Sequence, residues 1–134
     1  MASAYEHGPA ADAEAVAADP SLASDDVIDL LSRLVDKSLV VLDADGTRYR
    51  MLETVREFAM DALLRSAEKD AVLNRHAEWY QRLAMQLEPR LTGQTQQDAL
   101  STLARDHANL SSALDWMIRS DHAEGALALG AALW

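Results

Sequence analysis

Apolar residues recur at helical spacing along most of this chain, and the pattern breaks once into a short alternating stretch. Val27, Leu30, Leu31 and Leu34, with Val35 flanking, follow the 3.6-residue period and predict a helix over about 25–37. Ser38 to Asp43 is β-branched and apolar, Asp43-Ala44-Asp45-Gly46 is a turn cluster, and Thr47 to Leu52 alternates. Thr47, Tyr49 and Met51 fall on one face of that last run, Arg48 and Arg50 on the other. The two runs predict a hairpin, which is marginal in water unless it lies on helices. Val55, Ala59, Ala62 and Leu63, with Phe58 at the edge, then mark a helix over 53–66.

The second half reads as helix throughout. Val72, His76, Trp79, Tyr80, Leu83 and Leu87 place one face of a long helix over about 69–88, and Pro89 and Gly93 bound a loop. Leu100, Leu103, His107, Leu110, Leu114 and Met117 follow a 3-4-3-4-3 spacing, a seam for antiparallel neighbours. Trp79 and Tyr80 are adjacent and cannot both point fully inward. End signals agree with these spans. Ser24-Asp25-Asp26 predicts a capped start with acids in the first turn. Thr95 with Asp98, and Asp121 with Glu124, have cap spacing ahead of the later helices. A short helix over Ala10 to Ala18 is stopped by Asp19-Pro20, because the residue before proline is pushed out of the α region.

Composition points the same way. The 134 residues include 25 alanines and 20 leucines against one phenylalanine and five glycines, a bias toward helix. Cysteine is absent, which removes disulfides and Cys-based zinc sites. No apolar run approaches the roughly 18 residues that span a bilayer. The first 20 residues carry acids rather than the basic n-region of a secretory signal, which points to the cytoplasm. Net charge is -10, unevenly spread: residues 1–36 hold eight acids and one base, Arg33, a local net of -7. That bias argues against DNA and anionic membranes as partners, since both select positive patches.

A helix leading directly into a two-stranded hairpin is the arrangement of a winged helix, and antiparallel helices after it resemble the start of a tetratricopeptide-like array. The stretch Leu34 to Ala59, LVDKSLVVLDADGTRYRMLETVREFA, resembles the winged-helix part of bacterial STAND-class signal-transduction ATPases, relatives of the AfsR and LuxR-type ATP-binding transcriptional regulators. Arg75-His76-Ala77-Glu78-Trp79-Tyr80 and Asp106-His107-Ala108-Asn109-Leu110 resemble the helices that join that domain to the repeats. The likeness covers about residues 25–134. It implies a mainly α fold with three parts: a disordered or partial N-terminal helix over 1–20, a winged-helix-like segment over 21–66, and the start of a repeat region over 67–134, cut at its C-terminus.

The resemblance also implies a function. In the family a P-loop module binds ATP or ADP, the winged helix closes over the nucleotide, and the repeats receive an input. No GxxxxGK[ST] stretch occurs in these residues, so the ATPase activity does not carry over and the segment reads as non-catalytic, holding no cofactor of its own. The related Met-His-Asp motif aligns with Met51, Leu52 and Glu53, but Leu52 has nothing to donate to a phosphate. Arg48, Arg50 and Arg56 are candidates for interdomain or phosphate contacts.

Competing chemistries fit less well. A DNA-reading winged helix places the helix before its hairpin in the major groove. Here that helix carries Asp25, Asp26, Asp29 and Asp36 against Arg33 and Lys37. His7, His76, His107 and His122 lack metal spacing; His76 and His107 sit on apolar faces and read as partly buried packing residues. Glu53 and Glu57, one turn apart with Arg56 between, read as surface ion pairing rather than an acid–base pair. No nucleophile-elbow glycines surround a serine.

The expected partner is the nucleotide-binding module of the parent regulator. A bare stripe of Leu127, Leu129, Leu133 and Trp134 adds an expectation of self-association. A DNA-binding winged-helix factor and a stand-alone helical adaptor are the alternatives. The expected core is Leu30, Leu31, Leu34, Val40, Tyr49, Met51, Val55 and Ala59 in the first part and Leu83, Leu87, Leu103, Leu110 and Leu114 in the second.

Overall fold

The structure is a computed structural model that describes residues 11–46 and 48–133. The lead-in over residues 1–10, Thr47 of the alternating run and Trp134 of the expected terminal stripe lie outside the described residues. The fold is mainly α with one antiparallel hairpin, as the periodicity predicts. The chain divides after Asp70 into two compact units.

The first unit runs α1 (Ala11–Ala17), α2 (Ser24–Asp36), β1 (Val40–Leu42), β2 (Tyr49–Met51) and α3 (Glu53–Leu64). The turn between α1 and α2 is built by Asp19, whose Oδ1 accepts from the Ser21 amide at 2.7 Å, the Ser21 hydroxyl at 2.6 Å and the Leu22 amide at 3.0 Å. An aspartate followed by Pro20 sets this turn: the side chain mimics a backbone acceptor and the proline ring fixes φ. α2 starts one residue earlier than the cap reading, with Ala23 at the cap position and no side-chain cap bond; Asp25 and Asp26 remain in the first turn, where the helix dipole favours them.

α2 ends in a Schellman turn that feeds the hairpin. The Leu39 amide donates to the Leu34 carbonyl at 3.0 Å and the Ser38 amide to Val35 at 2.8 Å, with Ser38 at φ 59°. The strands pair Val40 with Met51, Val41 with Arg50 and Leu42 with Tyr49. The Asp43 amide donates to the Arg48 carbonyl at 2.8 Å, and Gly46 at φ 70° closes the turn. A side chain at Gly46 would meet no atom, so the requirement is conformational.

Among the described residues of this unit only Val27 and Val40 are buried apolar side chains. Leu31, Leu34, Tyr49, Val55, Ala59 and Leu63 are half-buried. Leu30 and Met51, expected in the core, are each 44% exposed, and Ala62 is exposed as well. The reason is arithmetic: three short helices and two three-residue strands offer more apolar faces than they can cover for one another.

The second unit holds most of α4 (Lys69–Leu87), a 3-10 turn (Glu88–Arg90), α5 (Gln96–Arg105), α6 (His107–Arg119) and α7 (Ala123–Leu133). Its core is Ala77, Tyr80, Ala84, Leu110, Ala113, Met117, Leu129 and Ala132, with Trp79, Leu83, Leu103, Leu114, Trp116 and Leu133 packed against it. Four alanines in that list let helix axes approach closely, with the larger side chains filling between them. The buried line of α4 therefore runs through Ala77, Tyr80, Ala84 and Leu87. Val72, His76, Trp79 and Leu83, predicted at the centre of the face, flank it half-buried. Tyr80 takes the inward position and Trp79 the boundary, and His76 packs its ring on Tyr80 with centroids 4.8 Å apart.

The Leu100-to-Met117 seam is broken. α5 and α6 meet at Asp106, whose backbone (φ -98°, ψ 10°) leaves the helical range. Asp106 is itself buried, and Asn109 Nδ2 lies 3.4 Å from its carboxylate. The break re-phases the pattern: Ala99 and Ala113 are buried, while Leu100 (46% exposed) and His107 face outward. Thr95 occupies the position before α5 but makes no side-chain cap bond. Asp121 does not cap α7; it ends α6 at φ 60°, with the His122 amide donating to the Met117 carbonyl at 2.9 Å. The terminal stripe is also redrawn, since Leu129 is fully buried and Leu127 is 74% exposed.

Ser38 and Asp121 thus both hold left-handed positions that glycine fills without strain. Ser38→Gly is expected to raise stability by about 0.5–1 kcal/mol, the removed αL cost of about 1–2 kcal/mol less the extra freedom of the unfolded chain. Asp121→Gly is expected to gain less, since Asp tolerates αL better than Ser. Urea unfolding midpoints measure both.

Candidate functional site

The residues singled out by motif cluster where the hairpin runs into α3. Leu52 is the hinge, an extended residue (φ -61°, ψ 145°) at the cap position of α3 with no side-chain cap bond. Pairing with Val40 carries Met51 to the end of β2, and Glu53 opens the helix. Met51 and Leu52 are 44% and 58% exposed, so the position aligned with the nucleotide-facing motif presents an apolar surface.

The charged candidates are tied into local pairs. Arg50 Nε lies 2.8 Å from Asp43 Oδ1 across the hairpin turn, and Arg56 reaches Glu53 at 3.5 Å, with both partners of the latter pair well exposed. Such pairs contribute about 0–1 kcal/mol each and leave the guanidinium groups accessible. Arg48 is half-buried just ahead of β2, its carbonyl accepting from the Asp43 amide. Glu57 is exposed one turn beyond Glu53, with no burial to separate the two carboxyls.

The hairpin and α3 also expose large apolar side chains that the alternation pattern does not reveal. Val41 (51% exposed) and Leu42 (38%) stand out from the hairpin. Phe58 (72%), Met60 (46%) and Leu64 (51%) stand out from α3. Phe58, at the edge of the predicted stripe, is the most exposed large apolar side chain of the unit. The sequence signal was its offset from the Val55, Ala59 and Leu63 line. Large apolar side chains left exposed in this number are candidates for burial against a partner. The opposing feature is α2, where Asp25, Asp26, Asp29 and Asp36 are all exposed.

Among the described residues no group of three or more histidine, aspartate or glutamate side chains could hold a metal ion, and His7 lies outside them. No helix is long and apolar enough to cross a membrane. The exposed groups here offer apolar contact and arginine hydrogen bonds, and the Leu52 side chain supplies no donor at the motif position.

No family model matches the chain, and no solved structure matches it. Curated relatives do. Proteins bearing the name "putative HTH-type transcriptional regulator" from Mycobacterium bovis (strain ATCC BAA-935 / AF2122/97) and from Mycobacterium tuberculosis (strains CDC 1551 / Oshkosh and ATCC 25618 / H37Rv) are each 40% identical over 121 residues. The match takes in 89% of this chain and 14% of each relative. Nearly the whole chain, both units included, is thus similar to one stretch of much longer proteins that carry a transcriptional-regulator name.

Proposed function

We propose that these residues form a non-catalytic regulatory segment of a bacterial ATP-binding transcriptional regulator of the STAND class, coupling a nucleotide-binding module to a helical sensor array in the cytoplasm. The observation that carries this reading is the set of large apolar side chains left exposed on the hairpin and α3, with Leu52 and Phe58 the most exposed of them. A unit with two buried apolar residues among those described gains its stability by covering those side chains. A module of the same regulator is a partner held at high effective concentration. The curated relatives support the regulatory role through their name, and their length leaves room for further modules. ATP or ADP would be held by that other module, with Arg48, Arg50 and Arg56 available at the boundary.

Direct DNA reading by this segment fits less well. Four exposed carboxylates on α2 would meet phosphate where a winged helix needs positive charge. The relatives' HTH name favours DNA binding somewhere in those proteins, most of which lies outside the matched stretch.

Co-expression of this chain with the P-loop module of its own regulator is the test. A 1:1 complex on size exclusion that retains labelled ADP is expected. Salt-dependent gel shift of duplex DNA by the chain alone, lost on Arg48→Ala with Arg50→Ala, is the contrary result and would establish the DNA reading instead.

A further inference from the structure

The second unit carries a groove that the proposed docking surface does not use. It lies between α4, the end of α6 and the start of α7, with a volume of about 640 Å³, within the range of specific ligand sites. The floor is apolar: Ala77 and Met117 are buried, and Trp116 is half-buried. Trp116 Nε1 donates to Asn74 Oδ1 at 2.8 Å, which fixes the indole across two helices. Gly125 keeps the floor open, since a Cβ there would lie 3.2 Å from Met117 Sδ.

The rim is charged with one sign. Glu78, Asp121 and Glu124 line the groove, all exposed, and no lysine or arginine lines it. None of the three carboxylates makes an ion pair among the described residues. The positive end of α7 offsets about half a charge, which leaves a negative excess. A cleft of one sign with apolar walls focuses its field on an incoming counter-charge, and an indole adds an aromatic face for a cation.

We propose that this groove docks a basic segment of a partner protein, seating an arginine or lysine side chain between the Glu78 and Glu124 carboxylates with neighbouring apolar residues on Trp116 and Met117. The groove is open at its rim, and its apolar floor complements an uncharged flank as well as a cation, which favours a peptide over a small free cation. The inference concerns the second unit alone and stands apart from docking through the hairpin and α3.

The test is calorimetric titration of the full chain with a capped Ala-Leu-Arg-Ala-Leu-Arg peptide, with the Trp116 indole resonance followed by NMR. One saturable site that shifts the Trp116 signal is expected. Glu78→Gln with Glu124→Gln is expected to weaken it by about tenfold or more, while the control pair Glu88→Gln with Asp98→Gln leaves it unchanged. Circular dichroism checks that each variant folds. Three results overturn the proposal: no saturable binding, equal weakening by both pairs, or binding of free argininamide or spermidine as tight as that of the peptide.

Discussion

Leu129→Ala is expected to destabilise the second unit by about 3 kcal/mol, within the usual range of about 2–5 kcal/mol for emptying a buried leucine site. Leu129 is fully buried. It is also the main anchor of α7, whose other buried residue is Ala132. Beyond these, Ala126 and Leu133 pack against the core at its edge, while Leu127 is exposed. Removal of the Leu129 side chain therefore leaves a cavity and loosens the helix that borders the groove. A unit this small has only a few kcal/mol of net stability, so the loss is a large fraction of the whole. Leu127→Ala, at a site 74% exposed, is expected to stay within about 0.5 kcal/mol of the parent chain. Urea unfolding followed by tryptophan fluorescence and far-UV circular dichroism separates the two. Equal losses at both positions would mean that α7 packs through another face.

The contrast between these two leucines shows what the sequence could and could not yield. Helix and strand positions were legible because the apolar period changes from 3.6 to 2 and back. The facing of each helix was less legible. Large apolar residues drew the predicted stripes, but half of the residues packed to 3% exposure or less are alanines: Ala77, Ala84, Ala99, Ala113 and Ala132. In a chain with 25 alanines, their periodicity cannot be told from background composition. The seam through His107 failed for a different reason. Spacing assumes an unbroken helix, whereas the chain breaks at Asp106, a buried aspartate at the cap position of α6 and a favoured cap residue that the apolar spacing passes over. Of the candidate residues, Met51 ends β2, Leu52 takes the cap position and Glu53 opens α3. The apolar surface around them was not legible, because exposure depends on how little else the first unit contains. The groove was hidden as well: its carboxylates come from α4, from the turn after α6 and from α7, which are distant in sequence.

The second large effect concerns that surface. Phe58→Asp is expected to leave the fold intact, because Phe58 is 72% exposed and packs little, yet to weaken docking on the nucleotide-binding module severely. An aromatic anchor at the centre of an interface contributes about 2–4 kcal/mol, and placing a carboxylate in the desolvated contact adds to the loss. That corresponds to a drop of about 30-fold to 1,000-fold in affinity. Leu52→Asp is expected to act in the same direction, since Leu52 lies at the hinge between β2 and α3 and is 58% exposed. Substitutions on the acidic α2 surface, such as Asp25→Asn with Asp29→Asn, are expected to change affinity by no more than about twofold, as rim charges do away from a hydrophobic contact.

The most direct measurement is the dissociation constant between this chain and the P-loop module of its regulator, read by sedimentation for the parent chain, Phe58→Asp and the α2 double variant. The account predicts a 1:1 complex that Phe58→Asp abolishes and the α2 variant retains. A complex unaffected by Phe58→Asp, or no complex at any nucleotide state, would contradict it.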